Sequence, residues 1–148
     1  LGGVFVAGGE ACVSSQMEQR RPRAVISASR SEGIVGDFCT YLAEMGVVHP
    51  DPIYVSGAGE KSLRLVLGDK DETLWFFPKA GTCRWDVAAS DALLRAMGGK
   101  VTDKFGQELD YSTSRETSQN SNGIIASNNA RLHAECIRYF KEGKWHER

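Results

Sequence analysis

Arg84-Trp85-Asp86-Val87-Ala88-Ala89, continuing through Leu93-Leu94-Arg95-Ala96-Met97 into Gly98-Gly99-Lys100-Val101, decides the reading of this chain. Ala88, Ala89, Ala92, Leu93 and Ala96 recur at helical spacing, so the spacing predicts a helix with that face buried. Gly98-Gly99 supplies the permissive dihedrals on which helices stop. Asp86 falls at the mouth of that helix, where unsatisfied N–H groups and the positive end of the dipole stabilise a carboxylate. A carboxylate held there caps the helix. It also suits a hard cation such as Mg²⁺, which takes oxygen ligands.

Working outward, short apolar runs alternate with helical patterns. Ala24 to Ala28, Ile53 to Val55, Leu74 to Phe77, Val101-Thr102 and Ile124 to Ala126 read as strands. Ile34 to Met45, Ser62 to Leu67 and Leu132 to Phe140 read as helices, the first stopped by Gly46. Val4 to Val6 and Ala11 to Val13 are further strand-like runs, and Ser14 to Arg23 is polar enough for an exposed loop. Asp103-x-x-Gly106 predicts a turn towards Leu109 and Tyr111. Residues 112–122 hold six Ser or Thr and two Asn, which predicts a loop. The expected fold is α/β, a layered mixed sheet with flanking helices, in one domain over residues 1–148. Its glycine-rich turns fall at strand ends, where such sheets bind ligands.

Composition narrows the function classes. A net charge of -1 carries no basic footprint, so a nucleic-acid polymer is not an expected partner. No apolar run approaches the roughly 20 residues of a membrane span. Cys12, Cys39, Cys83 and Cys136 are widely spread and contain no Cys-x-x-Cys pair, which reads as reduced thiols and a cytoplasmic location. His49, His133 and His146 have no partner at metal-ligand spacing.

Trp85-Asp86-x-Ala-Ala followed by Ala-x-Gly-Gly-x-Val resembles the second signature of the inositol monophosphatase-like superfamily. Gly57-Ala58-Gly59-Glu60-Lys61-Ser62-Leu63 resembles the glycine-rich turn of its bisphosphate nucleotidase branch, and Gly123 to Asn129 resembles the strand before its last helix. The resemblance covers roughly residues 23 to 142. It implies a Mg²⁺-dependent, lithium-sensitive phosphomonoesterase in which Asp86 is a metal ligand. The family's first signature, Asp-Pro-x-Asp-Gly-Thr/Ser, supplies further metal carboxylates and does not occur here; Asp51-Pro52 shares only its first two residues. Leu1 is not an initiator Met. The expectation is a carboxyl-terminal half whose amino-terminal metal-binding half lies outside this chain, and which alone turns over nothing.

With the same resemblance, substrate-binding positions are expected at Ser29, Glu32, Gly57, Lys61, Arg84 and Asp86. Gly57-Ala58-Gly59 would present backbone N–H groups at a helix start, and Lys61 a mobile charge. Neither a P-loop nor Gly-x-G-x-x-Gly spacing is met. Ser29 and Glu32 stand three apart before an apolar helix, as a capping box does. In the nucleotidase branch that turn is Thr/Ser-Arg-Ser-His; Glu32 replaces the His, and a carboxylate there must turn from an anionic substrate or pair with Arg30. Lys79 stands seven residues before Asp86, where inositol monophosphatases carry an acid, and a lysine only donates. A bisphosphate is therefore the expected substrate, nucleotide first. The competing readings are an inositol polyphosphate 1-phosphatase and a non-catalytic phosphate- or nucleotide-binding module.

Overall fold

Ala24 to Ser27 are all buried along Arg23–Ser27, the strand β1, which is the pattern of a strand covered on both faces. The computed structural model describes residues 21–112, 114, 116 and 118–148. The runs Val4 to Val6 and Ala11 to Val13, Cys12 and most of the polar stretch from Ser14 lie outside the described residues. After β1 come α1 (Ile34–Glu44), β2 (Ile53–Val55), α2 (Ala58–Leu67) and β3 (Glu72–Phe77). A short 3-10 turn (Arg84–Asp86) leads into α3 (Ala88–Ala96), then β4 (Lys100–Thr102), β5 (Ile124–Ser127) and α4 (Ala130–Glu142). A last 3-10 turn spans Trp145–Glu147. The expected α/β architecture is present.

The five strands form one sheet in the order β2-β1-β3-β5-β4. β1 pairs in parallel with both β2 and β3, while β5 is antiparallel to β3 and to β4. The carboxyl ends of β1, β2, β3 and β4 therefore share one sheet edge with the start of β5. From β1 the chain goes first to one side, to β2, and then crosses to the other, to β3, which is the switch that opens a crevice at the carboxyl ends.

One sheet face is sealed by aromatic residues of α1 and α4. Phe38 meets Phe76 and Phe140 edge-on at 5.2 and 5.1 Å, and Trp145 closes the cluster at 5.4 Å. Asn129 caps α4 by accepting from the N–H groups of Arg131 and Leu132. On the other face lie α2 and α3.

Three helix expectations need correction. The predicted buried face of α3 points outward: Ala88, Ala89, Ala92 and Ala96 are exposed and Leu93 is 53% exposed, while Asp91 and Leu94 are buried. Asp91 goes inward because Arg95 grips both its oxygens, at 2.6 and 3.3 Å, and Tyr111 donates to it at 2.7 Å. A buried carboxylate satisfied in this way is tolerated. Second, α2 begins at Ala58, not Ser62, because Gly57 (φ 82, ψ 140) makes the turn and Gly59 continues the helix. Third, no Ser29–Glu32 capping box forms: α1 starts after Gly33, whose φ of 65 suits glycine, and no side chain caps it.

Candidate functional site

Three loops converge on the sheet edge just described: the one after β1, the one after β2 and the long one between β3 and α3. Asp86 ends the 3-10 turn that closes the last of these. It does not cap α3, whose N-cap is Val87. Its Oδ2 accepts from the Cys83 backbone N–H at 2.8 Å, and the Cys83 thiol in turn accepts from the Asp86 backbone N–H. So Asp86 does fix a turn, though not the one its position suggested. It remains exposed, and Oδ1 makes no hydrogen bond among the described residues.

Asp86 borders an open crevice of about 200 Å³ between α2 and α3, lined also by Gly59, Ser62, Leu63, Ala89 and Leu93. Ser62 Oγ is buried there without a hydrogen-bond partner among the described residues. These are hard oxygen donors, the chemistry Mg²⁺ selects, and Mg²⁺ is usually held by one or two carboxylates with water and phosphate completing its shell. The described residues contain no group of three or more His, Cys, Asp or Glu able to hold a metal by themselves. The donor type fits; the set is one carboxylate.

Lys61 is not the mobile cation its position suggested. Only 4% of it is exposed; Nζ donates to Val55 O at 3.3 Å and lies 5.6 Å from the centre of the Trp75 ring. Burial lowers its pKa, the neighbouring Arg30 guanidinium lowers it further, and Glu60 acts in the opposite direction. Gly57 is exposed, and a Cβ built on it would meet nothing within 4 Å, so the space before the α2 amino terminus is open.

Ser29 and Glu32 are exposed in the loop after β1, and Glu32 forms no ion pair with Arg30. Arg30 instead lays its guanidinium 4.6 Å from the centre of the Phe77 ring and donates from Nη1 to Gly81 O at 3.3 Å. Gly81 is required for this: a Cβ would sit 2.7 Å from Nη1 and 3.0 Å from the Phe77 ring. Lys79 Nζ lies 5.3 Å from the same ring centre. Arg84 is half-buried and donates to Gln119 O at 2.8 Å. It lines a polar basin of about 310 Å³ with Asp103, Asp110 and residues 119–123, on the β4–β5 side of the edge.

Ser29 and Glu32 thus lie in the loop after β1, Gly57 and Lys61 at the start of α2, and Asp86 on the α2–α3 crevice with Gly59 and Ser62, while Arg84 lines the basin before β5. Sequence reasoning missed the Arg30–Phe77–Gly81 contact, whose partners lie 51 residues apart along the chain. Its one local signal was an arginine in the turn that follows a buried strand. Trp75, Phe76 and Phe77 are strand core, each at most 2% exposed. His133 is buried on α4. Because the Thr102 hydroxyl donates to Asp103 O, the imidazole Nε2–H must be the donor, shared between Thr102 Oγ1 at 2.9 Å and Ile125 O at 3.2 Å. Cys39 and Cys136 are buried with thiol pKa values pushed up by burial, and Cys39, Cys83 and Cys136 are all free. No helix among the described residues is long and apolar enough to cross a membrane.

Known proteins resemble this chain in sequence and in fold. A 3'(2'),5'-bisphosphate nucleotidase 1 of Dictyostelium discoideum is 36% identical over 96 residues, which is 64% of this chain and 30% of that protein. The human inositol polyphosphate 1-phosphatase is 41% identical over 81 residues, 54% of this chain and 18% of its own. In structure, SaIMPase-II bound to inositol monophosphate superimposes with a TM-score of 0.59 at 18% identity, over 84% of this chain and 43% of that one. The matched region is therefore under half the length of each of these proteins. The model of the inositol monophosphatase family matches residues 6–144, and the chain belongs to that family.

Proposed function

We propose that this chain is the carboxyl-terminal half of a Mg²⁺-dependent phosphomonoesterase that removes a phosphate from 3'(2'),5'-bisphosphate nucleotides, adenosine 3',5'-bisphosphate first. The observation that carries the reading is Asp86: an exposed carboxylate with one uncommitted oxygen, at the same sheet edge as the cations Lys61 and Lys79. Ser29 and Gly57 open onto that edge for the substrate, and Lys61 contributes positive charge from beneath it. Arg84 would reach the substrate only from the β5 side. The exposed Glu32 has room to turn from an anion.

The partner is an amino-terminal half of the same fold, bringing the remaining carboxylates. Its landing place is the α2–α3 face, where Leu63, Leu67, Leu93 and Met97 are each about half exposed and Asp86 lies at the rim. Contiguous apolar surface of this kind marks an interaction site. When bound, Mg²⁺ neutralises phosphoryl charge and acidifies a water. Asp86 holds it in place, and the cations of the edge orient the substrate phosphates.

The likeness to the human inositol polyphosphate 1-phosphatase keeps a second reading, with an inositol bisphosphate in place of the nucleotide. The experiment joins the chain to its amino-terminal half and compares phosphate release from adenosine 3',5'-bisphosphate and inositol 1,4-bisphosphate. Faster release from the nucleotide is expected. Release from the inositol alone would replace the first reading by the second, and release from neither would leave a binding module.

A further inference from the structure

Three of the four helix-surface arginines have a carboxylate partner, and Arg131 has none among the described residues. Arg64 pairs with Glu60 and Glu72, Arg95 with Asp91 and Glu108, and Arg138 with Glu142 and Glu135. Arg30 and Lys79 have none among the described residues, and neither does Lys61 beneath them. An unpaired lysine at a surface is ordinary; what distinguishes these is convergence. Two cations rest on the single ring of Phe77, at 4.6 and 5.3 Å from its centre, and a third sits over Trp75, two residues earlier on the same strand side by side with it. Like charges gathered so closely repel one another, and the ring faces offset this only in part.

Arg30 is also placed rather than merely tethered. The Phe77 ring supports its guanidinium, Gly81 O takes one N–H, and Gly81 lacks the Cβ that would displace it. Its other N–H donors make no hydrogen bond among the described residues. A planar fork supported by the ring, with donors left over and a lysine near the same ring, matches the oxygens of a phosphate group. These residues stand at the strand edge where parallel sheets take ligands, Lys79 opening the loop that ends at Asp86.

We propose that Arg30 and Lys79, seated on Phe77, form a subsite for a phosphate group separate from the one held at Asp86: the second phosphate of a bisphosphate. This deepens the functional reading above and rests on it only for the identity of the anion. Gly81 is a positioning residue for the site, acting through Arg30.

The test titrates inorganic phosphate into the 148-residue chain without metal, following amide and guanidinium N–H resonances by NMR. Saturable shifts at Arg30 and Gly81 are expected. Arg30→Gln and Lys79→Gln should each weaken phosphate binding about tenfold, the loss of one charge-assisted contact. Arg30→Lys, which keeps the charge and loses the fork, should fall between. Arg138→Gln, on the far face, should change nothing. Absence of phosphate binding, or binding that both glutamine variants leave intact, overturns the subsite. On the complete enzyme, Arg30→Gln should raise KM for the bisphosphate about tenfold and leave KM for a monophosphate unchanged. If nucleotides are hydrolysed but neither variant moves KM, the subsite falls and the nucleotidase reading stands. If Arg30→Gln abolishes phosphate binding while no nucleotide is hydrolysed, the reverse holds.

Discussion

The two faces of the sheet are built to different ends. On the α1–α4 face, Phe38, Phe76, Phe140 and Trp145 interlock edge to face, and each is at most 4% exposed. On the α2–α3 face, Leu65 and Leu94 reach the core, yet Leu63, Leu67, Leu93 and Met97 on the same helices are 51–59% exposed. Buried polar groups do not divide the faces in the same way: His133 Nε2 under α4 is bonded, but Trp145 Nε1 on that face, like Ser62 Oγ under α2, has no partner among the described residues. One face is a finished core. The other has the apolar content of an interface, and the carboxylate proposed for metal sits on its rim.

Shortening one side chain on each face separates the two. Phe38→Ala should destabilise the chain by about 3–5 kcal/mol, the cost of emptying an aromatic core site, read from the urea midpoint. The next effect is pH dependence from the closed face alone. Burial pushes the His133 imidazole from its ordinary 6.5 down to about 4, with the nearby Lys100 acting in the same direction and the Ile125 carbonyl opposing. The folded-state pKa is depressed, so the unfolded chain takes up the proton first. The associated stability is whole above about pH 6.5 and drains as pH falls towards 4, by up to about 3 kcal/mol. Urea midpoints at pH 7 and pH 4.5 should differ, and His133→Gln should flatten that difference. The smallest effect belongs to the open face: Leu93→Ser should alter the stability of the isolated chain by less than about 0.5 kcal/mol. The same change should weaken association with the proposed amino-terminal half, measured by sedimentation of the two separately expressed halves. A large stability loss from Leu93→Ser would mean that this face is already a core.

Much of this fold was legible because its strands are apolar runs bounded by glycine and proline, as at Ile53 to Val55 and Leu74 to Phe77. Helix faces were less so. Five apolar positions in α3 argued for one buried side, and a single carboxylate reversed it, because Arg95 and Tyr111 satisfy Asp91 in a way only the folded chain reveals. Gly59 read as part of a turn since glycine lowers helix propensity, yet Gly57 alone makes the turn. At the site, Asp86 read as the mouth of α3, and it stands just before it, fixing its own 3-10 turn with Cys83. The burial of Lys61 did not, since it depends on Val55 O and Trp75 being beneath it. Arg30 was visible only as the possible partner of Glu32, whereas the folded chain gives it Phe77 and Gly81, residues whose nearness is a product of the β1–β3 pairing.

Asp86 is proposed to serve a metal and not only its own turn. Asp86→Asn keeps an oxygen to accept from the Cys83 N–H but removes the charge a cation needs. In the complete enzyme, phosphate release from adenosine 3',5'-bisphosphate titrated with Mg²⁺ should require at least about tenfold more metal in this variant. A Mg²⁺ titration that coincides with that of the unaltered enzyme would contradict the account and leave Asp86 as a cap.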